Sequence, residues 1–358
     1  MPFLPVEVSD FFGLSPGKAD REKVTSGEHD IYRRAVRKQQ VRCHYESVSF
    51  CGCYSARTIP EQITKSLYWS ARMSVEDKTV LIVGCGIFGL ASALDFAKAG
   101  YKVTAMDAYE PPSPWSASCD YNKIIRGEYD VEEYTKLSVE AIEMWKNEPR
   151  FKGIYKDCGR VMITPTDYKA RQEFERVGIE NLQKHGKALD IEYFDGGEEL
   201  ARKFPFLKYN GLQKGEQSKF NPYGGLGHSS NAMVAVYKEA KDHGVQFVFG
   251  DDGHAFEVER GDGNKVVIVT KSGQRRTAGT VIVSLGSNTG RLVNLNGQQS
   301  ATGLFVTFIK LTDAEYERYK DCSILFDAKM GYFFPPDPET KLLKVALPGS
   351  GTCHKVHD

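Results

Sequence analysis

Two periodicities alternate along the chain. From Thr79 onward Val80, Leu81, Ile82 and Val83 form a continuous apolar run, the pattern of a parallel strand buried on both faces, and Gly84 ends it. In the next segment Ala91, Ala93, Ala97 and Ala99 keep a predicted helix thin until Gly100 stops it. Lys102 to Met106 then reads as a second strand, closed by Asp107. Farther on, Tyr134, Leu137, Ala141 and Trp145 recur at helical spacing and predict one shared apolar face. A strand is expected over Gly159 to Thr164 and a charged helix from about Asp167 to Gly186. Asn221 to Gly250 reads as a Gly-rich loop, a helix stopped at Gly244 and a strand from Val245 to Phe249. Ala255 to Glu259 and Val266 to Lys271 form two alternating strands joined through GDGN, and Thr280 to Gly290 returns as an apolar strand ending in glycine.

The order strand, glycine-rich turn, helix, strand and carboxylate describes a mononucleotide-binding βαβ unit. Gly84 permits the tight turn off the strand. Gly86 lets backbone approach a pyrophosphate at the positive helix N-terminus, and Gly89 lets the helix pack closely on the strands. Asp107 stands where an acid accepts hydrogen bonds from a ribose 2′-hydroxyl and argues against a 2′-phosphate. A glycine-rich turn that binds nothing is the plain alternative.

The 47 basic side chains equal the 47 acidic ones, so no overall field favours nucleic acid or an anionic membrane, and no run is long and apolar enough to read as a membrane span. Eight cysteines are scattered without framework spacing, which suits reduced thiols and a cytoplasmic enzyme. Cys51 and Cys53, near Cys43 and His44, make a poor zinc signature without a second pair, and CHKVH, from Cys353 to His357, reads as a tail, so no metal is expected. Residues 1–72 read as an extension without a fold of its own, since MSVEDKTVLIVG from Met73 resembles a natural start.

The fingerprint at Gly84, the Ser-rich loop before NKIIR, the segment GGLGHSSNAMVAVYKEAKDHGV, the strand TVIVSLGSNTG and the late KMGYFFPPD occur in this order. Together they resemble the FAD-dependent amine oxidoreductases of the D-amino-acid oxidase superfamily, in particular the fungal sarcosine, pipecolate, saccharopine and fructosyl-amino-acid oxidases. The resemblance covers about Ser74 to Leu347. It implies an α/β chain, α+β overall: a Rossmann-like FAD-binding domain, residues 73–125 plus 221–295, with an interleaved antiparallel-sheet substrate domain, residues 126–220 plus 296–347, and a tail from 348. It further implies removal of a hydride from the carbon beside a secondary amine nitrogen, hydrolysis of the imine, and reoxidation by molecular oxygen with release of hydrogen peroxide.

By the same resemblance Gly84, Gly86 and Gly89 hold the FAD pyrophosphate and Asp107 the adenosine ribose. Ser116 and Ser118 are candidates to donate to phosphate or ring oxygens, and Gly286 to approach the cofactor. The chemistry asks for two cations, one beside the flavin to offset the negative charge it gains and one, best an arginine fork, for a substrate carboxylate. Lys123 and Arg126 match the family's basic positions for these roles; a solvated pair at a loop end is the plain alternative. His228 and the aromatic run Tyr332, Phe333 and Phe334 are weaker candidates, each as readily structural.

Two departures qualify the match. Where several such oxidases place an oxygen-activating lysine, Thr302 stands, with Lys310 out of register. Family members also continue with a segment bearing a flavin-linking cysteine, a substrate-binding basic residue and a Gly-rich FAD stretch, whereas this chain ends at GSGTCHKVHD. The expectation is a truncated member, with FAD attachment left open. An NAD-dependent dehydrogenase and an inactive FAD-fold remnant are the alternatives; against the first, no second mononucleotide half follows Asp107 directly.

Overall fold

A strand apolar on both faces must be covered on both, and this requirement organises the first sheet. The computed structural model describes residues 78–208 and 211–353. The expectations for residues 1–72, Met73, Cys43, Cys51, Cys53 and His357, and for the side chain of Cys353, lie outside the described residues. In chain order the first elements are β1 (Thr79–Val83), α1 (Ile87–Lys98), β2 (Lys102–Met106), β3 (Lys123–Ile125), α2 (Glu132–Asn147), β4 (Tyr155–Lys156), β5 (Arg160–Ile163) and α3 (Lys169–Lys184). They are followed by β6 (Glu192–Asp195), α4 (Gly196–Lys203), β7 (Gln217–Asn221), β8 (Gly225–Gly227), α5 (Ser229–Asp242), β9 (Gln246–Val248), β10 (Ala255–Arg260), β11 (Val266–Thr270), β12 (Arg275–Arg276) and β13 (Thr280–Val283). The last are α6 (Thr289–Leu292), β14 (Thr302–Lys310), α7 (Asp313–Tyr319), β15 (Ile324–Asp327), β16 (Gly331–Phe333) and β17 (Leu342–Cys353).

β13, β1, β2 and β9 form a four-stranded parallel sheet in that order. One face is covered by α1 and α5, whose Leu90, Ala93, Leu94, Met233, Val236 and Ala240 are buried with Val80 and Ile82. On the other face Leu81, Val83 and Met106 pack with Ile268 of the three-stranded antiparallel sheet β10-β11-β12. The returning strand Thr280–Val283 thus completes the βαβ unit from far along the chain, pairing with β1 through Val80 to Thr280 and Val83 to Val283.

A second sheet has seven strands in the order β14-β17-β16-β15-β5-β7-β6. Its pairings are antiparallel except β5 with β15, which run parallel. Its core holds Val161, Ile163, Phe194, Leu200, Leu325, Phe333 and Leu343. β17 continues to Cys353, past the tail boundary expected at residue 348. A small antiparallel sheet, β3-β8-β4, joins the segment around Lys123 to this body.

The helix expected around Tyr134 forms, but its expected face is corrected: Tyr134 and Leu137 are exposed, while Thr135 and Ile142 are buried. The reason is polar. Thr135 Oγ1 donates to the Tyr129 carbonyl at 3.0 Å and Ser138 Oγ to that of Gly127 at 3.2 Å, so α2 turns its hydroxyls toward the chain segment it covers.

That segment is anchored by charge. Glu128, buried, accepts from Asn221 Nδ2 at 2.7 Å and pairs with Arg160 Nη2 at 2.9 Å; Arg160 and Asn221 are cross-strand partners on β5 and β7. Burial alone would raise the Glu128 carboxyl, but the Arg160 and Arg126 charges and the Asn221 hydrogen bond hold it below its ordinary value of 4.5. A depressed folded value means that the pair contributes stability above about pH 4.5 and loses it as pH falls through the folded value. Arg160→Met should cost about 3–5 kcal/mol, because Glu128 is left buried without its ion-pair partner. Urea unfolding at pH 7 measures the loss, which should shrink on acidification below the ordinary carboxylate range.

Candidate cofactor-binding site

The turn between β1 and α1 leaves no room for side chains at Gly84 and Gly89. A Cβ on Gly84, whose φ is +102°, would lie 2.6 Å from the Ser284 carbonyl oxygen, and one on Gly89 would lie 1.8 Å from the carbonyl oxygen of Gly84. Gly89 is therefore a packing residue that seats the helix on its strand. Gly86 differs: a Cβ there would meet only the hydroxyls of Ser116 and Ser118, at 3.5 and 3.7 Å. Gly86 and the two serines face one another across the mouth of the turn, and Ser118 Oγ accepts the amide of Ile87, the first residue of α1, at 3.1 Å. Ser116 Oγ in turn accepts the Ser118 amide at 3.1 Å. A hydroxyl that accepts from an amide still has its own proton to give, which suits an anionic oxygen at a helix N-terminus.

Asp107, at the end of β2, reaches the same turn. Its Oδ2 accepts the Cys85 amide at 2.7 Å and its Oδ1 the Tyr109 amide at 3.2 Å, leaving lone pairs on both oxygens for hydroxyl donors. Burial, then the Asp107 charge, pushes the Cys85 thiol up, so this cysteine is inert packing in the turn. Gly286, just past β13, has φ +57° and open space for 4 Å around the point where a Cβ would stand. Its carbonyl accepts from Gln299 Nε2 at 2.9 Å and from Thr289 Oγ1 at 2.9 Å. Gly84, Gly86, Asp107, Ser116, Ser118 and Gly286 are thus gathered at one end of the parallel sheet, with Gly89 behind them. A cradle that a Cβ at Gly86 would partly fill, backed by hydroxyls and an acid, fits the diphosphate and ribose of a dinucleotide.

The two basic candidates have separate surroundings. Lys123, at the start of β3 and 46% exposed in its side chain, pairs with Asp120 Oδ2 at 3.0 Å. Arg126, after β3, donates to the Glu128 carbonyl and lies over the ring of Tyr129 at 4.2 Å and of Phe174 at 5.3 Å. Its guanidinium has five N–H donors, so these contacts orient it without exhausting it.

Sequence reasoning did not single out Asp120 or Lys344. Asp120 Oδ2 also accepts from Lys344 Nζ, a β17 ammonium whose side chain is 4% exposed. Asp120 stands three residues before Lys123 and was legible as a local pair; Lys344 is 224 residues away from Asp120, signalled only by a lysine inside the apolar run LLKVAL.

The GGLG segment is structural. Gly225 and Gly227 lie in β8, and a Cβ on Gly225 would approach the Lys156 carbonyl oxygen to 2.1 Å. His228 caps α5, its Nδ1 accepting the Asn231 amide at 3.3 Å. Phe333 and Phe334 are buried, and Lys310 Nζ donates to the Thr340 carbonyl. Among the described residues no group of His, Cys, Asp and Glu could hold a metal, and no helix is long and apolar enough to cross a membrane.

The family described as FAD dependent oxidoreductase (DAO) matches residues 79–346. L-saccharopine oxidase of Schizosaccharomyces pombe is 36% identical over 285 residues, covering 76% of this chain and 65% of that protein. Monomeric sarcosine oxidase of a Bacillus species is 26% identical over 223 residues, covering 60% of this chain and 53% of that protein. This chain therefore spans less than two thirds of the length of either relative. A crystal structure of a modified fructosyl peptide oxidase from Aspergillus nidulans matches with a TM-score of 0.70 at 28% identity, covering 79% of this chain and 67% of that one. These likenesses favour a flavin over the nicotinamide alternative.

The two kinds of glycine make opposite predictions. Gly89→Ala should destabilise the protein by about 1–3 kcal/mol through overpacking. Gly86→Ala should leave the urea midpoint nearly unchanged and weaken dinucleotide binding instead, as followed by titration with FAD.

Proposed function

The chain belongs to the DAO family of FAD-dependent oxidoreductases, and from that premise we propose that it oxidises the C–N bond of a secondary amine or N-substituted amino acid. The substrate class is of the sarcosine, pipecolate, saccharopine or fructosyl-amino-acid type. The observation that supports the reading is the placement of Lys123 and Arg126 on one short segment, together with a turn lined by Gly84, Gly86, Asp107, Ser116 and Ser118. In this reading residues 73–125 and 221–295 make the cofactor-binding part, and residues 126–220 and 296–347 the substrate part.

The residues have distinct tasks. The α1 N-terminus and the serine hydroxyls hold the diphosphate, and Asp107 accepts from the adenosine ribose. When bound, FAD supplies the two-electron acceptor for C–N oxidation, with dioxygen as final oxidant and hydrogen peroxide as product. Lys123 presents a cation to the ring, where negative charge develops. Arg126, stacked on Tyr129, offers its remaining N–H donors to the substrate carboxylate. The scattered spacing of the eight cysteines supports a cytoplasmic setting.

Addition of sarcosine, pipecolate, saccharopine or a fructosyl amino acid to the FAD-loaded chain should release hydrogen peroxide, as a coupled peroxidase assay reads. Lys123→Met should slow flavin reduction about 10- to 100-fold with little loss of FAD affinity, whereas Arg126→Ala should mainly raise KM. Absence of peroxide with every substrate, from a chain that retains FAD, would establish an inactive FAD-fold protein instead.

A further inference from the structure

Charges held away from water need partners, and one face of the seven-stranded sheet gathers more cations than carboxylates. Val161, Ile163, Leu325 and Phe333 point into the core of that sheet, so the alternate residues Met162, Phe326 and Tyr332 point to the opposite face. There Lys219, Met162, Phe326 and Tyr332 are successive cross-strand partners in one row. α3 lies over this row: the Arg171 guanidinium carbon stands 4.5 Å from the centre of the Phe326 ring and 4.9 Å from that of Phe174. Arg126 lies over the same Phe174 ring, at 5.3 Å. One aromatic side chain thus links the arginine assigned to the substrate carboxylate with a second arginine.

Glu175, beside Phe174 on α3, orients that second arginine. Buried, it accepts from Thr164 Oγ1 and from Arg171 Nε, both at 2.8 Å, and pairs with Lys219 Nζ at 2.6 Å. It fixes the Nε edge of Arg171 and is shared with another cation. No described residue accepts from the four terminal N–H groups of Arg171, whose side chain remains 17% exposed. Glu128 is likewise close to both Arg160 and Arg126. Among the described residues of this cluster Arg126, Arg160, Arg171 and Lys219 therefore face only the carboxylates of Glu128 and Glu175. Burial first, and then the charges of Arg126 and Arg171, hold the Arg160 guanidinium below its ordinary value against the opposing pull of Glu128. Like charges at this range repel unless an anion joins them. Phe326 and Tyr332, with ring centroids 6.0 Å apart and both partly exposed, add an apolar surface beside Arg171 that suits methylene groups.

We propose that Arg171 is a second carboxylate-binding residue of the substrate site: with the amino-acid carboxylate on Arg126, a further carboxylate of the same molecule binds the terminal N–H groups of Arg171. The substrate so selected is an N-substituted amino acid that carries a second acidic group, in preference to sarcosine or pipecolate. The inference rests on the role assigned to Arg126 under the proposed function. Recognition is by charge and hydrogen bonds, and no covalent bond is made or broken.

The test is calorimetric titration of the FAD-loaded full chain with glutarate, a dicarboxylate, and with pentanoate, a monocarboxylate of equal chain length; neither is an amine that can be oxidised. The unaltered chain should bind glutarate about tenfold or more tightly than pentanoate, the scale of one added charge-assisted contact. Arg171→Gln, which keeps an N–H donor for Glu175, should weaken glutarate about 10- to 100-fold and leave pentanoate within about twofold. Arg126→Ala should weaken both. In peroxide release Arg171→Gln should raise KM for saccharopine and leave that for sarcosine unchanged. No glutarate binding, equal affinity of the unaltered chain for the two acids, or an equal effect of Arg171→Gln on both, overturns the second site and leaves Arg126 in its role. The first two outcomes are read without any variant, so a folding defect in Arg171→Gln cannot mask them. If Arg126→Ala leaves both affinities unchanged, the role of Arg126 fails and this inference falls with it. Absence of peroxide would overturn the oxidation reading alone, because the two acids are bound without turnover.

Discussion

Residues 120–128 run between the four-stranded parallel sheet and the seven-stranded sheet, and their two ends are tied down by ion pairs. At one end Asp120 meets Lys344 of β17; at the other Glu128 meets Arg160 of β5 and Asn221 of β7. A chain segment buried between layers must also satisfy its own carbonyls. Thr135 and Ser138 of α2 do so for Tyr129 and Gly127, and Asn181 of α3 for Tyr129 and Asp130, at 3.1 and 3.2 Å. With its ends fixed and its backbone satisfied, β3 carries Lys123 and Arg126 in a defined register against β8. The Glu128 anchor is the costlier one to break, because the carboxylate is buried and Arg160 is its ion-pair partner.

The glycine-rich turn obeys a different constraint. Its geometry follows from close approach of backbone to backbone, Gly89 against Gly84 and Gly84 against Ser284, which draws β13 to the end of β1 although the two strands lie about 200 residues apart. The strand ends so gathered bring Asp107 and Gly286 to the mouth of the turn, and the serines of the following loop close it. Position and chemistry are separable here: some glycines make the site possible, and others leave it open.

Much of this was readable in the chain, for physical reasons. A doubly buried strand, a thin helix and a terminal acid have local signatures, and the βαβ unit, the return of Thr280–Val283 and the hairpin of β10 and β11 follow them closely. The family resemblance added the likeness to FAD-dependent oxidoreductases that the comparisons bear out. What local pattern misread was the orientation of α2, where hydrophobic spacing favoured Tyr134 and Leu137 but unsatisfied carbonyls drew Thr135 and Ser138 inward. The GGLG segment read as a Gly-rich loop, whereas Gly225 to Gly227 form β8, and Gly225 is required there by the close approach of the Lys156 carbonyl of β4. Lys344 lay out of reach because an ion pair across 224 residues leaves no periodic trace.

The most direct test of the central claim, that this cradle takes a flavin dinucleotide, is titration of the purified chain with FAD, followed by visible absorption after removal of free cofactor. The account predicts saturable uptake at one FAD per chain, with the bound flavin's absorption bands retained by the protein. A chain that stays colourless at saturating FAD while remaining folded by its urea transition would contradict it.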